Sequence, residues 1–429
     1  MSDRPAGGRP AGRVLIIVQN LSVPFDRRVW LEACALRDAG LQVSVVCPKD
    51  PGDSSFEELE GIRIRRYPPP PAAHGTLSYA WEFAYCWVRT FSLVLRAAAA
   101  EGFDVIQACN PPDTFWALAM PFKLFGKRFV FDQHDLCPEV YESRFPNGSR
   151  LVYRGLRLLE RATYAVADRV IATNDSYRAT AMRRGGVSAQ RVTVVRTGPD
   201  PERLRRGDPV PSLRHGKRYL CAYLGVMGPQ DGVDLALRAA AAVVRSGRED
   251  VHFVFVGAGD SYDELVALAA DLDLADYVTF TGRVPDQTVF EVLSTADVGL
   301  CPDPLNPLND VSTMNKTMEY MAFAVPVVAF DLKETKVSAA EAAVYVRPND
   351  TNAYAEALLA LLDDPDKRAS MGAFGRERVE SVLAWAHQAP KYVAVYENLN
   401  LDGWPGSSGP CAWAKSEYSF RRHRFGHVR

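Results

Sequence analysis

The sequence predicts an α/β protein made of two consecutive domains, each a doubly wound parallel sheet flanked by helices. Three observations carry this. Short continuous runs of β-branched and other apolar residues alternate with longer amphipathic stretches, the pattern of strands buried on both faces and the helices covering them. The alternation stops once, in the Pro-, Gly- and Arg-rich segment GPDPERLRRGDPVPSLRHGKR (198–218), and then restarts. At 429 residues the chain is also longer than one core organises.

The elements follow in order. A polar start, 1–12, is expected to be disordered. The first domain, 13–200, has strand candidates RVLIIVQ (13–19), QVSVVCP (42–48), IRIRRY (62–67), DVIQACN (104–110), RFVFDQH (128–134), DRVIATN (168–174) and VTVVRTG (192–198). DRRVWLEACALRDAG, between the first two, reads as a helix with Asp26 as N-cap and Gly40 as its stop. The linker is placed at 201–217. The second domain, 218–375, offers YLCAYLG (219–225), VHFVFVG (251–257), YVTFTG (277–282), DVGLCP (297–302), VPVVAF (325–330) and AAVYVRP (342–348). Amphipathic helices are expected over 376–400, and a disordered, partly basic tail over 401–429.

Apolar residues make up 47% and charged residues 24%, as in soluble globular proteins, and a net charge of -2 argues against a nucleic-acid partner. Eight scattered cysteines with no C-x-x-C pair suit buried free thiols in a reducing cytoplasm better than a metal site. The start is too polar for a signal peptide, and FAYCWVRTFSLVLRAAAA (83–100) is interrupted by Arg89 and Arg96, which makes it a poor spanning helix. The expected location is the cytoplasm. The aromatics of SYAWEFAYCWVRTF (78–91) either build a core helix or form a greasy patch for peripheral contact with the inner face of the plasma membrane.

In open α/β sheets, ligands bind outside the carboxyl ends of the strands, so the loops there hold the candidates. LGVMGPQDGVD (224–234) places Gly225, Gly228 and Gly232 where backbone N–H groups can approach a phosphate, although a plain strand-to-helix turn also uses glycines. No G-x-G-x-x-G occurs, which disfavours NAD. In FTGRVPDQ, Arg283 and Val284 face a nucleobase or belong to an ordinary turn. LNPLNDVSTMN precedes a helix that Ser312 or Thr313 can cap, with Lys316 in its first turn and Glu319 one turn on. A lysine there opposes the helix dipole; a bound diphosphate explains it, and a neighbouring carboxylate can accept two ribose hydroxyls. The competing reading is an exposed Lys316–Glu319 ion pair. In the first domain, FDQHDLCPEVYE presents His134, Asp135, Glu139 and Glu142, LSVPFDRRVW presents Asp26 and Arg28, and CNPPD adds Asp113. Each of these serves a substrate or simply caps and pairs.

NKTMEYMAFAVPVV, LGVMGPQDGVDLALRA, FVFVGAGD, VTFTGRVP and STADVGLCP, together with VPFDRRVWLEACALRDAGLQVSVVCP and DQHDLCPE, resemble the retaining nucleotide-sugar glycosyltransferases of family 4. The resemblance spans roughly residues 13–400. It implies the GT-B fold, two Rossmann-like domains facing each other across a cleft, the first on the acceptor side and the second binding the nucleotide sugar. By it, Lys316 holds the diphosphate, Glu319 the ribose, and His134 reaches the transferred sugar. Gly225, Gly228, Arg283, Val284, Asp310, Thr313, Met314 and Asn315 surround the donor, and Asp26, Arg28 and Asp113 lie toward the acceptor. The last helices cross back onto the first domain.

Three positions depart from the family pattern. Val311 stands where an acid is usual, with Asp310 one residue off; Gln230 and Asp231 stand where a basic pair is usual; Thr197-Gly198 replaces Asn-Gly. The expected reaction moves a sugar from a nucleotide diphosphate, UDP before GDP, to an acceptor hydroxyl with retention, in cell-envelope polysaccharide or glycoconjugate synthesis. The acceptor is a carbohydrate or lipid-linked. No metal or cofactor beyond the donor is expected, and the D-x-D at Asp271 and Asp273 falls inside a helical pattern. A GT-B nucleotide-sugar epimerase and a non-catalytic nucleotide-sugar-binding protein are the alternatives.

Overall fold

A computed structural model describes residues 12–70 and 76–399, with residues 76–80 described by backbone alone. The start before Gly12 and the tail from 400, for which disorder is expected, lie outside the described residues.

The first sheet has eight strands: β1 (Arg13–Ile17), β2 (Gln42–Pro48), β3 (Phe56–Leu59), β4 (Ile62–Tyr67), β5 (Val105–Cys109), β6 (Arg128–Gln133), β7 (Arg169–Ala172) and β8 (Val192–Val194). Their order is β3-β4-β2-β1-β5-β6-β7-β8, parallel except for the β3–β4 hairpin at the edge. The second sheet holds β9 (Tyr219–Leu224), β10 (Val251–Val256), β11 (Val278–Gly282), β12 (Val298–Cys301), β13 (Val327–Phe330) and β14 (Ala343–Val346), all parallel, in the order β11-β10-β9-β12-β13-β14. Every strand read from the sequence is present. β3 is the addition: FEEL lacks an apolar face, and its charged side chains cover a sheet edge.

Both sheets reverse direction of winding beside their first strand, between β1 and β5 and between β9 and β12, which opens a crevice above those strand ends. On one face of the first sheet, Val14, Ile16 and Val105 pack with Val29 and Ala33 of the helix Arg27–Asp38. The same cluster contains Trp385, Tyr392 and Tyr396 of the last described helix, Trp385–Glu397, so that helix lies on the first domain. The other face is covered by four helices, Thr76–Ala100, Phe115–Lys123, Arg150–Val166 and Asp175–Gly185.

The linker is pinned rather than loose. Gly207 N–H donates to Ser294 Oγ at 3.0 Å and Val210 N–H to Thr295 Oγ1 at 2.8 Å, while Arg376 Nη2 donates to the Pro201 carbonyl at 2.9 Å. It lacks periodicity because, apart from the short 3-10 turn Pro211–Arg214, side chains from outside the linker hold its backbone. Gly198 sits under the returning chain: a Cβ there would run into the Leu383 carbonyl oxygen.

Candidate active site

Loops that follow strands of the two sheets meet each other. Arg27, after β1, bonds Glu319 at 3.2 Å and Asp286, after β11, at 2.7 Å. Arg144, after β6, reaches Asp260, after β10, at 2.8 Å. Asn174, after β7, donates to the Val311 carbonyl at 2.9 Å and to Thr313 Oγ1 at 3.0 Å, and Tyr177 OH lies 3.0 Å from Ser312 Oγ. Ser176 Oγ and Arg196 both hold Glu334, after β13. The site is therefore a bridged cleft between the carboxyl ends of two sheets.

On the second-domain side, Lys316 and Glu319 share the helix Asn315–Ala322 but do not pair with each other. Lys316 Nζ donates to Asp303 Oδ1 at 2.6 Å, beneath the Tyr223 ring, and both partners are nearly buried. Burial works against the ammonium, yet Asp303, with Tyr223, Cys301 and Asp231, keeps it charged well above the ordinary lysine range. Burial raises the Glu319 carboxyl, and Arg27 pulls the other way. The exposed Lys316–Glu319 pair is thus replaced by two separate pairs.

The glycine turn differs from expectation. Gly225 N–H already donates to the Val256 carbonyl at 3.0 Å, and Gly228 N–H to Asp231 Oδ2 at 2.9 Å, so neither is a free phosphate donor. What Gly225 supplies is room, since its φ of 150° is open to glycine and a Cβ there would sit 3.6 Å from Lys316 Cε. The helix cap also differs. Met314 is the N-cap and makes no side-chain bond, whereas Ser312 Oγ donates to the Leu308 carbonyl. Asp310 accepts from the backbone of Lys333 at 2.9 Å, which assigns its carboxylate to the start of the next helix. Arg283 stacks over Phe25 of the first domain at 5.8 Å, and Val284 packs into the second-domain core.

On the first-domain side, His134 Nε2 lies 2.8 Å from Asp132 Oδ2. Arg28 is not available to an acceptor. Its guanidinium is buried and bonds Asp132, Glu32, the Val195 carbonyl and Thr197 Oγ1, each at 3.0 Å. Burial would push Asp132 up, but Arg28 and His134 hold it well below the carboxylate range; burial and Asp132 push Glu32 well above it, against the pull of Arg28. Glu32, Cys109, Asp132 and His134 bring ligand atoms within 4.8 Å of one another, a cluster that linear spacing hid because three elements contribute to it. The Arg28 guanidinium contacts three of the four and already supplies that cluster with a cation.

Asp26 is a cap, accepting from Val29 N–H at 3.1 Å. Asp113 is buried and accepts from Asn110 Nδ2 at 2.9 Å. Of the residues named from the sequence, Glu319 and Arg283 meet first-domain side chains, Lys316 is tied to Asp303 and His134 to Asp132, while Asp26, Arg28 and Asp113 are engaged within the first domain. Asp303, Arg27, Arg144 and Asp132 are not among the residues named from the sequence.

A family model described as "Glycosyl transferases group 1" matches residues 218–364, and one described as "Glycosyl transferase 4-like domain" matches residues 26–198. An alpha-maltose-1-phosphate synthase of Mycolicibacterium smegmatis is 30% identical over 300 residues, covering 65% of this chain and 74% of the relative. A D-inositol 3-phosphate glycosyltransferase of Nocardia farcinica is 28% identical, covering 55% and 54%. Among solved structures, sucrose-phosphate synthase from Thermosynechococcus elongatus superposes with a TM-score of 0.72 at 21% identity, covering 90% of this chain and 99% of the other. HepE from Anabaena, in complex with UDP and glucose, gives 0.68 at 16%, covering 90% and 99%. The chain belongs to the group 1, family 4 type of glycosyltransferases and has the GT-B fold.

Proposed function

We propose that this glycosyltransferase is retaining and metal-independent, takes its sugar from a nucleotide diphosphate, UDP before GDP, and passes it to a hydroxyl of a carbohydrate or lipid-linked acceptor. The observation that carries the reading is Lys316, buried, paired with Asp303 and set beside the glycine turn, one helical turn from Glu319. In the reaction the anomeric C–O bond to the diphosphate breaks as the acceptor oxygen bonds the same face of that carbon. The acceptor's proton leaves with the departing phosphate oxygen. Lys316 neutralises the leaving group, Glu319 orients the ribose, Arg283 and Val284 frame the base, and His134, held by Asp132, positions the sugar. A GDP-linked donor is the second choice, because a relative from Corynebacterium glutamicum is named as GDP-mannose-dependent.

Peripheral contact with the inner face of the plasma membrane belongs to the same proposal. It is supported by the outer surface of the first domain's four-helix layer, where Leu124 is 84%, Phe125 81%, Leu151 77% and Leu158 69% exposed. Among the described residues, no helix is long and apolar enough to cross a membrane.

Differential scanning fluorimetry with UDP, GDP, ADP and NAD, with and without EDTA, tests the donor. UDP is expected to raise the melting temperature whether or not EDTA is present. Lys316→Ala is expected to lower turnover about 10²–10³-fold, the scale for losing one preorganised electrostatic donor. A shift with NAD alone, or normal turnover in the variant, removes Lys316 and the mechanism with it.

A further inference from the structure

We propose that Arg144, carried on the first domain, is a phosphate-binding residue of the donor site and supplies the cation that the second domain's glycine turn lacks. The inference rests on the donor-site reading above and adds a ligand to it.

It starts from the charges around the turn. Lys316 is the lysine beside Gly225, but its ammonium is tied to buried Asp303 at 2.6 Å. Asp231, inside the turn, accepts the Gly228 N–H and is itself largely buried. Asp303 offsets much of the Lys316 charge, and Gln230 and Asp231 add no cation, so beyond that one lysine the turn offers a nucleoside diphosphate little positive charge. The backbone N–H groups of Gly225 and Gly228 are also occupied. Something else must meet a dianionic or trianionic pyrophosphate there.

Arg144 is in position to do so. It ends the helix Cys137–Arg144, after β6, and points across the cleft. Its Nε lies 3.5 Å from Gln230 Oε1, in the turn, and its Nη2 lies 2.8 Å from Asp260 Oδ2. Burial pushes the Asp231 carboxyl up, and Lys316 and then Arg144 pull the other way, so the two cations flank the same turn, one from each domain. The Arg144 side chain is 35% exposed and Asp260 73%, which makes their pair a surface ion pair of little strength. A pyrophosphate in the less exposed turn offers the guanidinium a bidentate, charge-assisted partner instead. Donor binding exchanges Asp260 for phosphate and ties the two domains together through the ligand.

Isothermal titration of the full chain with UDP, GDP and ADP, and with each monophosphate, reads the contact directly. Arg144→Ala is expected to weaken the preferred diphosphate about tenfold to a hundredfold and its monophosphate by much less, with Arg144→Lys recovering part of the loss. Asp260→Ala removes the present partner and keeps the cation; diphosphate affinity there is expected to hold or rise. Equal losses in Arg144→Ala and Asp260→Ala would show that only the ion pair matters and overturn the proposal. An unchanged diphosphate-to-monophosphate ratio in Arg144→Ala, with Lys316→Ala still weakened, overturns it and leaves the donor site standing. A native chain that binds none of the three diphosphates overturns both.

Discussion

Burial, with Glu160 close by, pushes the Asp113 carboxyl from 3.8 up to about 7, and Asn110 offsets only part of that. The sign follows from the raised value. Below about pH 4 the folded and unfolded states both hold the proton; between there and about 7 the unfolded chain releases it while the folded protein keeps it. Stability is therefore fully present on the acid side and lost as pH rises through 7, by an amount on the order of 4 kcal/mol. Asp113→Asn keeps the volume and removes the titration. Thermal melts should show the variant gaining on the native chain from pH 5 to pH 8, and a constant difference across that range would refute the assignment. Lys316 was legible in the sequence because a lysine opposing a helix dipole calls for an explanation. Its partner Asp303 was not, since one aspartate in CPDP looks like any loop residue until the fold buries it. Arg28 misled for the converse reason: a charged residue after a strand resembles a site, and only the convergence of Glu32, Asp132 and Val195 on it shows a core ion network.

Among the elements, the helix Trp385–Glu397 does more than cover a sheet. Tyr392 OH donates to Gln107 Oε1 at 2.6 Å, Tyr396 OH bonds the same oxygen, and Gln107 Nε2 donates to Glu32 Oε2 at 2.7 Å and to Asp132 Oδ2 at 3.2 Å. This helix thus reaches, through one glutamine, the carboxylate that holds His134. Replacing both tyrosines by phenylalanine leaves Gln107 Oε1 buried without a donor, at an expected loss of about 1–3 kcal/mol; either single change should cost less because one donor remains. Denaturant titration measures this, and a double variant as stable as the native chain would remove the network from the account. The strands of these sheets were readable because buried parallel strands are written as unbroken apolar runs such as VHFVFV. β3 was unreadable because FEEL is held only by pairing with β4, a partner no local pattern reveals.

At the scale of the whole molecule, a net charge of -2 conceals an uneven distribution. The helical layer of the first domain carries Arg89, Arg96, Arg150, Arg154 and Arg161 on its exposed side. Nearby acids are engaged elsewhere: Glu101 with Arg63 and Arg65, Asp168 with Lys123, and Glu160 with Arg184. Arginines interleaved with exposed Leu151 and Leu158 on one helix, next to the Leu124–Phe125 tip, make a face complementary to an anionic leaflet, with side chains able to enter its interfacial region. The full chain should sediment with phosphatidylglycerol-containing vesicles at low salt, much less with phosphatidylcholine alone, and be released by added salt. Each arginine near such a surface contributes about 1 kcal/mol, so Arg154→Ala with Arg161→Ala should weaken binding roughly thirtyfold. Neither residue touches the cleft, so the variant's melting temperature and its affinity for UDP should match the native chain's. Leu124→Ser with Phe125→Ser should weaken binding independently of salt, because it removes insertion without changing the charge. Vesicle binding indifferent to lipid charge and to both variants would leave this face without a membrane role, and a shift from monomer to dimer in sedimentation would assign it to a second copy instead.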